Sequence, residues 1–513
     1  MVAKHIKNMQ KRIINSPRDL KYLGQKYKNK QIVLCHGVFD LLHIGHINHF
    51  KEAKNLGDIL VVSITADNFV NKGPRRPLFN SEQRSNSILA LENVDYVFIN
   101  NSLTATEVIK NLKPKIYCKG KDYKDNDLDY TNQIIEEKKA IKSVKGQIIY
   151  TKSEIFSSSK IINLFSNNLS KENKSLISKI KNKYSFKKIK KILDKAHNLK
   201  IMIVGETIID EYVFCDAVGK SGKEPVLVLK EMKSEQYYGG AAAIAKHISN
   251  FSNNISLLTM LGEKNEFKSG LKKNLSKIKI EHISKTNSPT IVKKRFLDHI
   301  TKSKVLGVYK IDDEPLNKKD EINLIQKIRS KIKKNDLVII SDYGHGFITD
   351  KVAKYLCKNS KFLALNTQIN ASNISYHSIQ KYNKIDFFLI NEREIRHEFR
   401  DRKNKAEILM KKISIQKKIN HVVLTRGSKG SILYNRKKNS YFYCEALTDK
   451  IVDKVGAGDS MLSIISICIK IGFDEELSLF LGSLAAVQSL ESLANKETTS
   501  KLKMLRSIEY LLK

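Results

Sequence analysis

The chain has 513 residues, which is too long for one ordinary hydrophobic core and predicts two or three domains. Hydrophobic residues make up 41% and aromatic residues 8%, as in folded globular domains rather than disordered chains. The formal net charge is +39, from 92 basic and 53 acidic residues. The lysines are spread along the chain without interleaved aromatic residues, which disfavours a nucleic-acid-binding platform and favours anionic small molecules as partners.

Several absences narrow the class of protein further. No stretch approaches the ~18 apolar residues of a membrane span, and the N-terminus lacks the apolar core of a secretory signal. The six cysteines, at positions 35, 118, 215, 357, 444 and 468, include no Cys-x-x-Cys pair. They therefore predict neither a zinc site nor a disulfide framework, and a reducing, cytoplasmic location is expected.

The first third of the chain alternates short apolar strands with helices. Strands are predicted at 31–35, 59–64, 96–99, 116–118 and 147–150, and helices at 44–55, 81–91 and 104–112. This alternation indicates a Rossmann-like parallel sheet with helices on both faces. Ligands of such sheets bind at the carboxyl ends of the strands, where residues 36–46 fall.

The most informative motif is His43-Ile44-Gly45-His46, which opens the first predicted helix of that sheet. Histidines three residues apart at a helix start share one face, and the helix N-terminus adds N–H groups that attract phosphate. Gly45 lets phosphates approach the backbone, and Gly37 and Phe39 can offer backbone contacts beside them. The pattern suits nucleotidyl transfer, in which the acceptor phosphate is already ionised and has only to be aligned while charge is stabilised.

Further cations and hydroxyl groups follow along the same domain. Lys72 lies in a proline-stiffened basic loop, Arg84 follows as a candidate substrate contact, and Lys119 ends another strand as a candidate nucleotide contact. The run Ser157-Ser158-Ser159 precedes a predicted helix start, where hydroxyl and N–H groups can cradle a phosphate. A serine run alone usually only caps a helix, so the combination of these residues carries the prediction.

The remainder of the chain predicts a linker and a second α/β domain. Residues 167–199 are rich in Lys, Asn and Ser and read as a basic linker with one connecting helix over 177–193, which leaves domains at 1–166 and 200–513. Segments 211–233 and 290–309 alternate apolar and polar residues with period two, which indicates a small lid of antiparallel strands. The core strands are predicted at 201–205, 256–260, 337–341, 362–365, 387–390 and 421–425, with helices between them.

A second phosphate motif, Gly456-Ala457-Gly458-Asp459, opens a late helix. Its small residues leave N–H groups bare at the helix N-terminus as an anion hole, and Asp459 is placed to take a proton from a hydroxyl group. Both are needed for phosphoryl transfer to a sugar. Upstream, Thr425, Gly427 and Gly430 lie in a strand-end turn suited to a nucleotide.

Residues on other predicted strand ends complete this candidate kinase site. Asp210 can accept hydrogen bonds from sugar hydroxyls, and Gly239-Gly240 allows a sugar to approach the backbone closely at a helix start. Asn391 and Glu394 follow a strand and supply oxygen atoms that could order a hydrated Mg²⁺ ion. Each residue also has an ordinary structural explanation as a turn, cap or surface ion pair, and their order along the chain is what favours the functional one.

Residues 31–165 resemble the cytidylyltransferase-like nucleotidyltransferases, most closely the sugar-phosphate adenylyltransferases of the heptose pathway. The resemblance implies that His43, His46 and Lys72 contact the triphosphate and that residues 157–159 lie on the nucleotide. Lys152-Ser153 stands where some members have Arg-Thr. The matching stretches are 36–49, 72–84, 101–113, 119–123 and 156–162.

Residues 200–495 resemble the ribokinase-like sugar kinases, most closely the heptose-phosphate kinases, also through 224–226, 288–290 and 341–346. The resemblance implies Asp459 as catalytic base, an anion hole at 456–458, Mg²⁺ near Asn391 and Glu394, and ATP near Asn495 and 425–430. The departures from that pattern leave the sugar open and are Ala243 in place of Asn, Asn366-Thr367-Gln368 in place of Asp-Pro-Lys, and Lys454 in place of Thr.

The two resemblances together predict a bifunctional enzyme of activated-sugar synthesis for surface polysaccharides, with the domain order reversed relative to the familiar heptose enzyme. ATP and Mg²⁺ are the expected cofactors, with CTP as the alternative nucleotide for the N-terminal domain. Sugar phosphates and nucleotides are the expected partners, without nucleic acid, and the family fold suggests a homodimer through the lid. Two alternatives remain: a cytidylyltransferase for a polyol or amino-alcohol phosphate, and a kinase half that only binds sugar.

Overall fold

The computed structural model describes residues 12–70, 76–120, 133–151, 170–369, 372–374, 379–449 and 451–512. The chain divides into two compact units, one of residues 1–168 and the other of residues 169–505, with 506–511 grouped with the first. No helix in the described ranges is both long and apolar enough to cross a membrane.

The first unit is built on a parallel sheet. Its described strands are ordered β1-β4-β3-β2-β5-β6, and every neighbouring pair is parallel. The central strands are buried Ile, Leu and Val runs, because helices cover both faces. The bounds are β1 Ile13–Ile14, β2 Ile32–Gly37, β3 Ile59–Thr65, β4 Tyr96–Asn100, β5 Ile116–Lys119 and β6 Gln147–Tyr150.

The helices of this unit begin where a side chain can accept the first free N–H groups. Ser16 caps α1, and Asn80 forms a capping box with Gln83 at the start of α3. His43 caps α2 with its ring, at the carboxyl end of β2. The bounds are α1 Pro17–Lys26, α2 Ile44–Lys54, α3 Ser81–Leu89, α4 Thr106–Leu112 and α5 Gln133–Ser143.

The second unit contains a larger sheet with the described order β11-β10-β7-β14-β15-β16-β17-β18-β19. Its strands from β11 to β17 are parallel, and β18 and β19 close one edge as antiparallel strands. The bounds are β7 Lys200–Gly205, β10 Asn254–Gly262, β11 Lys279–Lys285, β14 Leu337–Asp342, β15 Leu363–Thr367, β16 Phe387–Asn391, β17 His421–Thr425, β18 Ser431–Asn435 and β19 Ser440–Cys444.

The lid is a separate sheet of the order β13-β12-β8-β9. The prediction of a purely antiparallel lid is wrong at its centre, where β12 pairs with β8 in parallel. The reason is that β8 continues from β7 and β12 follows β11, so both strands enter the lid from the same edge of the parallel sheet. The bounds are β8 Thr207–Lys220, β9 Leu227–Gly240, β12 Val292–Asp298 and β13 Lys304–Lys310.

The segment predicted as a linker with one helix contains two helices, α6 Lys171–Lys183 and α7 Phe186–Asp194. The two helices are separate because Ser185 caps the second one, with its side chain accepting the N–H of Lys188. Asn173 on α6 exchanges two hydrogen bonds with the backbone of Glu445, at 3.0 and 3.2 Å. The segment is thus packed within the second unit.

The remaining helices cover the large sheet. Gly456 is the N-cap residue of α14, and its φ of 88° favours glycine. The bounds are α8 Ala241–Ile248, α9 Lys268–Asn274, α10 Lys318–Arg329, α11 Asp350–Asn359, α12 Glu392–Phe399, α13 Ala406–Gln416, α14 Ala457–Lys470, α15 Glu475–Leu490 and α16 Lys501–Leu512.

Candidate active sites

The two predicted histidines of the first unit lie together at the N-terminus of α2. The rings of His43 and His46 stack with their centroids 3.9 Å apart and their planes 22° from parallel. The Gly45 N–H donates to Nδ1 of His43 at 3.1 Å, so this nitrogen acts as an acceptor.

Gly37 and Phe39 lie in the loop beside the histidine pair. Phe39 has a φ of 49°, and its ring meets His46 edge-on with the centroids 5.2 Å apart. A Cβ atom added to Gly37 would lie 2.9 Å from the tip of the Phe39 ring, so a larger residue would displace that ring. Both residues therefore hold the loop that leads into the histidine pair.

Asp40 is a residue of this site that the sequence analysis missed. Its buried carboxylate pairs with Arg76 at 2.8 Å and accepts the N–H groups of Leu78 and Phe79 at 2.8 and 3.1 Å. It thereby ties the histidine loop to the segment that follows residue 75. Its position directly after Phe39 in the motif was the available signal. The predicted contacts Lys72 and Ser157–Ser159 lie outside the described residues.

The structure does not place Arg84 or Lys119 as open ligand contacts. The Arg84 guanidinium is buried and donates to the carbonyls of Phe79, Val38 and Thr65 and to Asp67, at 2.6 to 2.9 Å. Lys119 forms a buried ion pair with Glu137, 3.0 Å away on α5. A cation at a strand end can therefore stabilise the fold instead of binding a ligand, because a buried charge requires hydrogen-bonding or ionic partners within the chain.

In the second unit a cavity of about 280 Å³ joins the end of the large sheet to the lid. Asp459 lies in its wall, and its carboxylate accepts the Tyr343 hydroxyl at 2.7 Å. Burial raises the pKa of Asp459 to about 7, although the Tyr343 hydrogen bond opposes this. The predicted residues in the described lining of this cavity are Asp210, Gly240, Asn391, Glu394, Thr425, Gly456, Gly458 and Asp459.

Asp210 is held at the base of the lid. Its carboxylate accepts a hydrogen bond from Arg295 at 2.5 Å, and burial raises its pKa despite that contact. A Cβ atom on Gly239 would lie 2.3 Å from Asp210, and one on Gly240 would lie 2.4 Å from the Glu206 carbonyl. The two glycines therefore allow the lid strand to pass close to the carboxylate before α8 begins.

The N-terminus of α14 fits an anion hole. A Cβ atom added to Gly456 would lie 2.1 Å from the amide oxygen of Asn495, whereas at Gly458 nothing lies within 4 Å. Gly456 and Gly458 line the cavity, and Ala457 stands between them at the first position of the helix. The buried Asn495 is not among the described residues that line the cavity. It lies behind the turn and supports Gly456 there.

Asn391 and Glu394 form a capping box at the start of α12. The Asn391 side chain accepts the Glu394 N–H at 2.9 Å, and the Glu394 carboxylate accepts the N–H groups of Asn391 and Ile369 at 3.0 and 3.2 Å. Burial raises the pKa of Glu394 to about 7. Both residues line the cavity, and a carboxylate keeps further lone pairs for a water, so they fit a hydrated Mg²⁺ ion.

The candidate nucleotide turn follows β17. Thr425 lines the cavity, and the Arg426 N–H donates to the Gly430 carbonyl at 2.8 Å to close the turn. Gly427 and Gly430 have φ values of 59° and 76°, and a Cβ atom on Gly430 would meet the Cys444 carbonyl at 2.1 Å. These two glycines are outside the described lining and shape the turn.

Lys293 on β12 is a cavity residue that the sequence analysis missed. It is 7% exposed, and its ammonium lies 5.7 Å from the Tyr343 ring centroid without an ion pair in the described part of the chain. Burial lowers its pKa. Period-two spacing puts Lys293 and Arg295 on one face of the strand, which was the available signal.

The model for pfkB family carbohydrate kinases matches residues 198–500, more than half of the chain. The chain belongs to the pfkB family. In this pfkB-family chain a second model, described as cytidylyltransferase-like, matches residues 34–164. Both matches confirm the fold class and the two resemblances predicted from the motifs.

Several similar curated proteins are named Bifunctional protein HldE. One from Aliarcobacter butzleri is 38% identical over 138 residues, covering 26% of this chain and 29% of that protein. One from Campylobacter jejuni subsp. doylei is 27% identical over 278 residues, covering 54% of this chain and 57% of that protein. The chain thus spans from under a third to somewhat over half of the length of these relatives.

Solved structures support the fold of the second unit. Escherichia coli phosphofructokinase-2 in complex with potassium is 13% identical, with a TM-score of 0.51, over 61% of this chain and 100% of that one. The same enzyme in complex with substrates and products is 14% identical, with a TM-score of 0.50 and the same coverage. At this identity the likeness shows the fold alone.

Proposed function

We propose that this pfkB-family chain is a bifunctional enzyme of activated-sugar synthesis. The second unit transfers the γ-phosphoryl group of ATP to a sugar or sugar phosphate. The first unit transfers a nucleotidyl group from a nucleoside triphosphate, with ATP as the expected one, to a sugar-1-phosphate and releases pyrophosphate. The observation that carries the proposal is the placement of Asp459 and the bare N-terminus of α14 in one cavity with Asp210.

In the kinase reaction Asp459 accepts the proton of the sugar hydroxyl as its oxygen attacks phosphorus. Its pKa of about 7 suits a base that works near neutral pH. The N–H groups at Gly456–Gly458 face the transferred phosphoryl group and stabilise its charge. Asp210, fixed by Arg295, orients the sugar by accepting hydrogen bonds from its hydroxyls.

Asn391 and Glu394 are the residues that would hold Mg²⁺ near the phosphates through bound water. The ion would neutralise charge on the triphosphate and bring its γ-phosphoryl group into line. Glu394 must be ionised to do so, which its pKa of about 7 permits above neutral pH.

Lys293 favours an acceptor that already carries a negative group. A buried ammonium without an ion pair in the described residues is costly, and an anionic substituent on the sugar would neutralise it. This supports a sugar phosphate, such as a heptose 7-phosphate, over a neutral sugar. It also argues against the alternative in which the kinase half only binds sugar, since the cavity contains both Asp459 as the base and Lys293 as the cation.

In the nucleotidyl-transfer reaction the acceptor phosphate needs no base. The stacked pair His43–His46 and the N-terminus of α2 bind the triphosphate and stabilise the charge that builds on the α-phosphate. Asp40 holds the histidine loop in place, and Gly37 and Phe39 offer backbone contacts to the phosphates beside the histidine pair.

The lid supports the further proposal of a homodimer. Its strands β9 and β13 leave large apolar side chains exposed, among them Leu227 at 58%, Met232 at 51% and Leu306 at 54%. A second copy would remove this surface from water. Light scattering of the intact chain tests it, and a monomer at micromolar concentration would refute it.

The deciding experiment is to incubate the full chain with ATP or CTP, Mg²⁺ and a panel of sugars, sugar phosphates and sugar-1-phosphates, read by mass spectrometry. A phosphorylated sugar and a nucleoside diphosphate sugar made with ATP are expected. Activity with CTP and a polyol phosphate would establish the alternative for the first unit. Absence of any phosphorylated sugar across the panel would contradict the kinase assignment.

A further inference from the structure

Below the histidine pair of the first unit, two cysteines and a third histidine converge in the interior. Cys35 on β2 and Cys118 on β5 are directly paired in the parallel sheet, and neither side chain is exposed. Because they occupy the same register, their side chains point to the same face, toward α2. His49 on α2 completes the group, and its ligand atom and the two sulfur atoms all lie within 4.8 Å of one another.

The hydrogen bonds of His49 prepare its ring for a metal. Its Nδ1 lies 3.0 Å from the Thr151 hydroxyl, which in turn donates to the Lys119 carbonyl at 3.4 Å. Since the hydroxyl proton is used there, His49 donates its Nδ1 proton to Thr151 and keeps the lone pair on Nε2. Metal-bound histidines are typically oriented in this way by a hydrogen bond from the other ring nitrogen.

We propose that Cys35, His49 and Cys118 form a binding site for a soft or borderline divalent metal, with Zn²⁺ as the best match. Two sulfurs and one imidazole are ligands that Zn²⁺ prefers and Mg²⁺ does not, so this site differs from the one at Asn391 and Glu394. A water or a bound ligand fills the fourth position. Binding converts both thiols to thiolates and releases two protons to solvent, and the two negative charges balance the metal in the buried site.

The position of the cluster indicates a structural role for the metal. His49 lies one helical turn after His46 on the same face of α2, so a metal held by His49 and two central strands would fix that helix against the sheet. The metal would position the histidine pair without touching substrate. This consequence rests on the proposed nucleotidyl-transfer site, whereas metal binding itself does not.

The test is a titration of the reduced, untagged, metal-free chain with Co²⁺, followed by displacement with Zn²⁺. One equivalent of Co²⁺ is expected, with an ultraviolet sulfur-to-cobalt charge-transfer band and visible bands of a tetrahedral ion. Cys118→Ser should lose at least half of the charge-transfer intensity and bind Co²⁺ more weakly, and Cys357→Ser, in the other unit, should keep the full band as the matched control. Thr151→Val leaves all three ligands in place and should weaken binding by about 10- to 100-fold.

Three results would overturn the proposal: Co²⁺ binding without a sulfur band in the wild-type chain, equal binding by Cys118→Ser, or unchanged affinity in Thr151→Val. Oxidation to a Cys35–Cys118 disulfide in a chain that takes up no metal would also overturn it and indicate a redox pair. If Cys118→Ser does not fold, the wild-type spectrum and Thr151→Val still decide. All of these readouts are independent of enzyme activity.

Discussion

Asp459 experiences two opposing influences on its charge. Its place in the first turn of α14 favours the carboxylate, because the helix N-terminus attracts negative charge. Burial favours the neutral acid and raises the pKa to about 7. The balance leaves a group that can take up a proton near neutral pH, which a fully exposed aspartate does poorly.

Asp459→Asn is expected to lower sugar phosphorylation by about 10² to 10⁴-fold, the usual contribution of a positioned base. The amide keeps the shape of the side chain and cannot accept the proton. Nucleotidyl transfer by the same preparation is the control and should be unchanged. Retained ATP-dependent phosphorylation would show that another group is the base.

The kinase should lose activity as the pH falls through about 7, since Asp459 must be ionised to act as base and Glu394 must be ionised to hold Mg²⁺. Tyr343→Phe removes a hydrogen bond that stabilises the carboxylate, so the acidic limb of kcat/KM should move to higher pH. A pH profile of both proteins between about 5.5 and 9 measures this. A limb that stays in place, or moves to lower pH, would contradict the assignment.

His46→Ala is expected to lower nucleotidyl transfer by roughly 10²-fold or more, as loss of one transition-state donor does. Asn48→Ala, an exposed position on the same helix, should have little effect and controls for disturbance of α2. Kinase activity should be retained in both variants. Near-normal formation of the nucleotide sugar by His46→Ala would remove the histidine pair from the mechanism.

At the scale of elements, α14 has a glycine in the left-handed region at each end. Gly456 precedes the helix with a φ of 88° and contacts Asn495, and Gly472 follows it with a φ of 90° and has open space around it. The two positions differ in what a side chain would touch, although their backbone conformations are similar.

Alanine at either glycine should cost about 1 kcal/mol or more in unfolding free energy, because both backbones are left-handed. Gly456→Ala should also displace Asn495 and the anion hole, so kinase activity should fall at least about tenfold, as when part of an oxyanion hole is lost. Gly472→Ala should keep its activity. Chemical denaturation and kinase assays of both variants measure this, and equal activity losses would attribute the effect to stability alone.

At the scale of the whole molecule, the formal net charge is +39, and both proposed reactions use polyanionic substrates. Raising the salt concentration from about 0.01 to 0.15 M shortens the Debye length from about 30 to 8 Å. The KM for anionic substrates should therefore rise severalfold in both reactions, with little change in kcat. Tetramethylammonium chloride is a suitable salt, and a neutral sugar acceptor is the control. A KM that is independent of salt would show that the charge does not assist binding.

Most of the fold was predictable because its signals are local. Buried runs such as 201–205 and 337–341 gave the strands of the large sheet, and the glycine motifs marked where α8 and α14 begin. The parallel pairing of β8 and β12 was not predictable, since alternation along a strand carries no information on the direction of its neighbour.

The features of the candidate sites also fall into two groups, those with a local sequence signal and those that depend on the tertiary structure. The amino-acid sequence by itself was sufficient to predict the two candidate phosphate sites, at His43–His46 and Gly456–Asp459, because a helix N-terminus and its flanking residues are contiguous in the chain. Only the tertiary structure decided that Arg84 and Lys119 are enclosed by partners, that Lys293 faces the cavity, and that Cys35, His49 and Cys118 converge as the proposed metal site. These contacts depend on strand order and register, which bring residues tens of positions apart to one point.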